Sequence, residues 1–92
     1  MAINGVRVEN LEGSNGPVKN QFKIYTDSGV YFQSYDSVIA YRPYSGKIIL
    51  DAHYWDYSKT TGKYRNIFLR EGIANTRQKI KDGTYLLDDL NK

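Results

Sequence analysis

The sequence predicts a small α+β domain: an antiparallel sheet of four to five strands, with two short helices after the fourth strand. Three observations carry this. Ninety-two residues with 40% apolar side chains are enough for one core and too few for two, so residues 1–92 form a single domain. Apolar and polar side chains alternate with a period of two through much of the first half. Beyond Leu50 the apolar spacing changes to that of helices.

The first strand is expected within Ile3–Leu11, where alternation begins at Val6. Residues 12–20 contain Gly13, Ser14, Asn15, Gly16 and Pro17 and read as a flexible loop, since Pro17 has no amide hydrogen for a sheet ladder. Residues 21–35 read as a hairpin around a three-residue loop, Asp27-Ser28-Gly29, with Gly29 left-handed. That register pairs Ile24 with Phe32 on one face and collects Tyr25, Tyr31 and Tyr35 on the other. Pro43 and Gly46 mark a second turn, between arms at Ser37–Tyr41 and Lys47–Ala52. Both faces of these arms are apolar, so either a helix or another subunit must cover the second side.

Ser58 is placed to cap a helix in which Tyr57, Thr61, Tyr64 and Phe68 recur at helical spacing, with Leu69 beside them and Gly62 as a weak point. Gly72 opens a second helix carrying Ile73, Thr76 and Ile80 on one face, ended by Lys81-Asp82-Gly83. Thr84–Leu87 reads as the last strand. Trp55 stands where strand gives way to helix and is expected to anchor the core there.

Composition excludes several chemistries. With no cysteine, disulfides and thiol catalysis are ruled out; with His53 the only histidine, so is a two-histidine metal site. His53 with Asp51 and Asp56 is a better structural turn than a metal site, and His53, Tyr64 and Arg65 have no fixed geometry for a nuclease. Thr60-Thr61-Gly62-Lys63 lacks phosphate-loop spacing, because Tyr64 follows the lysine. The reading is a non-enzyme without cofactor or metal. No apolar run approaches the ~18 residues of a membrane span, and no signal-peptide pattern opens the chain.

Charge is uneven. Residues 57–82 hold seven basic side chains (Lys59, Lys63, Arg65, Arg70, Arg77, Lys79, Lys81) against Glu71 and Asp82, a local +5 in a chain of net +3. Lys59, Lys63 and Arg70 fall on one helical stripe, and Arg77 and Lys81 are neighbours on the next helix. These five are expected to form one solvent-facing patch for an acidic partner or nucleic acid. Nine tyrosines supply the second signal. Tyr25, Tyr31 and Tyr35 on one outer face suit core packing under the helices, a protein interface, self-association, or stacking of single-stranded bases. The candidate partner-binding set is therefore Tyr25, Tyr31, Tyr35, Lys59, Lys63, Arg65, Arg70, Arg77 and Lys81.

Tyr31-Phe32-Gln33-Ser34-Tyr35, Tyr54-Trp55-Asp56-Tyr57-Ser58 and Thr60-Thr61-Gly62-Lys63-Tyr64-Arg65-Asn66 resemble a family of small proteins of unknown function encoded by bacteriophages and related mobile elements. The resemblance covers roughly residues 30–91 and brings no catalytic residues. It implies a phage genome as the source rather than an activity. With the small size it supports the expectation of a phage-encoded, non-catalytic protein in the host bacterial cytoplasm that binds and inhibits a host protein, such as a CRISPR-type defence nuclease, alone or within a nucleoprotein complex. The rival expectation is nucleic-acid binding through the basic helices and surface tyrosines; under the host-protein reading, affinity for bare DNA or RNA at physiological salt is expected to be weak. A minor structural phage protein is a third.

Overall fold

Gly13-Ser14-Asn15-Gly16 makes a tight reversal, with Gly16 at φ +102°, where a side chain would be strained. Strands therefore form on both sides of it, β1 (Arg7–Gly13) and β2 (Gly16–Tyr25), where a flexible loop over 12–20 was expected. A computed structural model describes residues 7–92 of the chain; the start of the expected first strand, at Ile3–Val6, lies outside them. Pro17 sits inside β2 because Gly13 and Gly16 close the turn and Pro17 pairs with Glu12 one step beyond. Hydrogen-bonded and non-bonded pairs alternate, so the proline nitrogen faces away from β1. On that other side β3 (Gly29–Ser34) ends opposite Gln21 and never reaches it.

The β2–β3 register differs from expectation by one residue. Tyr25 pairs with Val30, Ile24 with Tyr31, Lys23 with Phe32 and Gln21 with Ser34, around the two-residue loop Asp27-Ser28. Thr26 fixes this loop: its amide donates to the Gly29 carbonyl at 2.8 Å, and its hydroxyl oxygen accepts from the Gly29 amide at 3.2 Å. Gly29 is not left-handed. A β-carbon there would overlap the Arg42 carbonyl oxygen and lie 2.6 Å from Pro43 Cα. A close backbone crossing selects this glycine.

Strand β4 (Ser37–Pro43) follows a two-residue turn at Tyr35-Asp36, and β5 (Ile49–Asp51) follows the Pro43–Gly46 turn. Helices α1 (Lys59–Leu69) and α2 (Ile73–Lys81) come next, then β6 (Leu86–Asp88). The described residues build a six-stranded sheet in the order β1-β2-β3-β4-β5-β6. It is mixed, because β6 runs parallel to β5. A chain that passes through helices between neighbouring strands returns to the end where it began, and the second strand is then parallel. The expectation of four or five antiparallel strands is corrected accordingly. Both helices follow the fourth strand as expected, but with β5 in between.

Both helices cover one face. Leu11, Val30, Phe32, Ile39, Ala40, Leu50, Phe68, Leu69 and Tyr85 form the core between helices and sheet. Two bulges shape it. The β1–β2 register slips between Asn10 and Glu12, and the β3–β4 register slips opposite Phe32 and Gln33. In the first, β2 carries the longer stretch, residues 18–21 against Leu11 alone; in the second, Ile39 is the extra residue of β4. Leu11 and Ile39 are both buried in the core. Ser58 caps α1 as expected, accepting from the Thr61 amide at 3.1 Å. Trp55 packs against this core but is only partly buried. Tyr57, expected in the helical stripe, precedes α1 and is exposed.

Candidate partner-binding groove

Helix α1 buries Thr61, Gly62, Arg65, Phe68 and Leu69 and leaves Lys59, Lys63 and Ile67 outward. Positions 59, 63 and 67 follow steps of four and so lie in one stripe. Arg70 continues it as the left-handed C-cap (φ 59°), with its amide donating to the Asn66 and Ile67 carbonyls. The stripe runs beside the β1–β2 hairpin and leaves two depressions that share Ile67. One, of about 330 Å³, is lined by the hairpin turn from Gly13 to Lys19 and by Lys63, Tyr64 and Ile67. The other, of about 180 Å³, is lined by Leu11, Glu12, Lys23, Arg42, Phe68 and Arg70 with Ile67.

Together they form a groove with Ile67 in its middle, 38% exposed. Five cations border it (Lys19, Lys23, Arg42, Lys63, Arg70) against one carboxylate, Glu12. Among the described residues none of the five forms an ion pair. Arg42 is fixed in place: its guanidinium lies 4.4 Å from the Phe68 ring centre and donates to the Phe68 carbonyl at 2.8 Å. That contact satisfies one of the open carbonyls at the C-terminal end of α1.

The expected patch of five is not one surface. Lys59 and Lys63 border a shallow hollow at the start of α1, and Arg70 lies in the groove. On α2, Arg77 reaches Asp56 at 3.4 Å, while Lys81 is exposed and lines none of these depressions. Arg65 is not a surface residue: it is 1% exposed, donates to Asp56 Oδ1 at 2.9 Å and to the Trp55 carbonyl at 2.8 Å, and spans the Trp55 ring. It braces the strand-to-helix junction. Lys19, Lys23 and Arg42, which complete the groove, lay outside the sequence expectation because their neighbourhood depends on the hairpin at residues 12–20 and on the true β2–β3 register.

The three tyrosines also separate. The one-residue shift puts Tyr25 on the helix-covered side, with the Arg7 guanidinium 4.2 Å from its ring centre and its hydroxyl donating to Glu9 at 3.3 Å. Tyr31 is on the opposite face, stacked on Tyr41 at 4.4 Å. Tyr35 occupies the β3–β4 turn at φ 53° and is exposed. No common platform of these three exists.

Asp51 is buried and accepts from the amides of His53, Tyr54 and Leu90 at 2.8–3.0 Å. Burial pushes its carboxyl up, but these hydrogen bonds outweigh that and hold it below the ordinary range. It ties the β5 turn to the C-terminal segment. Among the described residues no three His, Asp or Glu side chains come together as a metal cluster.

Among the described residues the groove thus sets five cations without ion pairs around one exposed apolar side chain. The chain belongs to a family of unknown function, DUF8033, whose family model spans residues 7–83. No curated protein and no solved structure matches it.

Proposed function

We propose that this protein is a non-catalytic binding module whose groove takes an acidic segment of a protein partner, with an apolar side chain of that segment against Ile67. The observation that carries this reading is five cations without ion-pair partners among the described residues, around an exposed isoleucine, with Glu12 the one carboxylate among the described lining residues. Such a border steers an acidic partner and raises its association rate. The resemblance to phage and mobile-element proteins supports the sharper form: a phage-encoded inhibitor of a host protein, such as a CRISPR-type defence nuclease, acting in the host cytoplasm.

Nucleic acid is the weaker reading. Single-strand binders combine stacking aromatics with cations along one surface, whereas here the Tyr31–Tyr41 pair and the groove cations are on different sides of the sheet. The test is capture of host proteins with the tagged chain, with and without nuclease, repeated with Lys63→Glu/Arg70→Glu. Prey that survive nuclease and fall about tenfold with the double variant support the groove; this is the scale expected for reversing charges that steer association. Prey lost on nuclease treatment, or nanomolar binding of naked oligonucleotide at physiological salt, would refute it.

A further inference from the structure

The face of the sheet opposite the helices carries a row that crosses every strand. Val8 pairs with Ile24, Ile24 with Tyr31, Tyr31 with Tyr41, Tyr41 with Ile49, and Ile49 with Leu86. Cross-strand partners share a face, so these six side chains form one continuous line. A second line beside it, Asn10, Phe22, Gln33 and Val38, follows from the same registers. The bulge at Ile39 makes this possible: it returns Val38 to the face of Tyr41, which strict alternation would deny. The first line contains no charged residue; on the same face, two residues beyond Ile49 and Leu86, the paired Asp51 and Asp88 follow, Asp51 buried and Asp88 exposed at the β6 edge. Val8 and Leu86 at the ends are 58% and 45% exposed, and the four between are partly exposed.

We infer that this face is the interface of a homodimer, in which two copies stack sheet on sheet about a two-fold axis. Three features select a second copy as the occupant. The first is charge: the central row has no charged side chain, and the exposed Asp88 lies at the β6 edge of the face, so the row itself offers nothing to an acidic or basic partner and complements itself. The second is symmetry: the row reads aliphatic, aliphatic, tyrosine, tyrosine, aliphatic, aliphatic from either end. A two-fold axis along the strands, between β3 and β4, sets Val8 opposite the second copy's Leu86, Ile24 opposite its Ile49, and Tyr31 opposite its Tyr41. Isologous interfaces require such self-complementarity, and stacked sheets align within about 30° at ~10 Å separation.

The third feature is area. Six strands about 4.8 Å apart span ~24 Å, and with ~20 Å along the longer strands the face projects roughly 400–500 Å². Two such faces bury about 800–1,000 Å² in total, which reaches the lower bound for a specific interface, and each is as large as the patches that on monomers are often functional. An interface at this lower bound is expected to form reversibly rather than as an obligate dimer.

The absence of cysteine makes the arrangement directly testable. Val8→Cys and Leu86→Cys, prepared separately and mixed under mild oxidation or with a short bismaleimide, are expected to cross-link to each other in preference to themselves. Both positions are exposed strand ends that tolerate the change. In sedimentation equilibrium the wild type is expected to dimerise in the micromolar range, and Tyr31→Lys or Tyr41→Glu each to shift the midpoint at least tenfold toward monomer. Mixing those two variants is expected to restore a dimer, because the axis sets residue 31 of one opposite residue 41 of the other. A wild type that stays monomeric to several hundred micromolar, cross-linking without preference, or dimerisation untouched by either substitution in folded protein would overturn the inference. Tight occupancy of this face by a different protein, with no self-association, would do so equally.

Discussion

Arg65 is the largest side chain that the fold buries fully, and its charge is matched by Asp56 at 2.9 Å. Gly62, one turn earlier on α1, faces this guanidinium. A β-carbon there would sit 3.6 Å from both Arg65 Nη atoms and 3.8 Å from Asp56 Oδ1, which is ordinary contact. Gly62 is thus a helical glycine with room for a methyl group. Gly62→Ala is expected to stabilise by about 0.5–1 kcal/mol, the helix-interior difference between the two residues, raising the melting temperature by roughly 2–8 °C. A lower melting temperature would show that the Arg65 pocket has no slack. Gly29→Ala is the contrasting case, since its β-carbon meets the backbone of Arg42 and Pro43, which cannot rotate away. It is expected to cost more than 1 kcal/mol, as overpacking does, in the same thermal melt. Neither outcome follows from residue type. Both glycines look alike in the sequence, and only their neighbours separate them.

At the scale of elements, α2 is held mainly by one knot, because Thr76 is its only buried side chain. Glu71, just before the helix, accepts from Thr76 Oγ1 and the Tyr85 hydroxyl at 2.8 Å and from Lys79 Nζ at 2.6 Å. Burial raises its carboxyl, but those donors outweigh this and leave it below the usual range. A depressed folded-state value means the stabilisation is complete above the unfolded carboxyl value of about 4.3 and is lost as pH falls through the lower folded one. Glu71→Gln is therefore expected to destabilise at pH 7 and to flatten the acid branch of stability, measured by urea unfolding at pH 7 and at pH 3. Asp51 and Asp82 are depressed too and keep part of the slope. An acid branch as steep as that of the wild type would overturn the role of the knot. The helices themselves were legible: Ser58 as cap and Gly72 at the start of α2 are local signals. The hairpin at residues 12–20 was not, because Pro17 argues against a strand until one knows that β3 stops short of it. The β2–β3 register was misread for a related reason. Patterning favours a clean apolar face, yet here both faces carry apolar side chains, one under the helices and one in the open row. The groove inherited these errors, for its cations come from β2, β4 and α1 together.

Across the whole molecule, the groove and the open row lie on opposite sides of a body only 22 Å through its shortest axis. Stacking two copies on their open faces would turn both grooves outward, on opposite sides of the pair. The two surfaces share no residue, and sites that are separated in this way usually contribute additively to energetics. This separates the groove reading from the dimer reading by experiment. An acidic peptide with one apolar residue is expected to bind with one site per chain, and equally well to the wild type and to Tyr31→Lys, while Lys63→Glu/Arg70→Glu weakens it in both. Joining two copies of that peptide by ten flexible residues is expected to add no avidity. Such a linker spans only about 18 Å on average, less than the thickness of one chain, so it cannot reach around two stacked chains from groove to groove. Isothermal titration of the single and tandem peptides reads this directly. A large gain for the tandem peptide on the wild type, lost in Tyr31→Lys, would mean that the grooves lie side by side and that the two-fold axis runs elsewhere. Equal affinities with a stoichiometry of half a tandem peptide per chain place the grooves back to back.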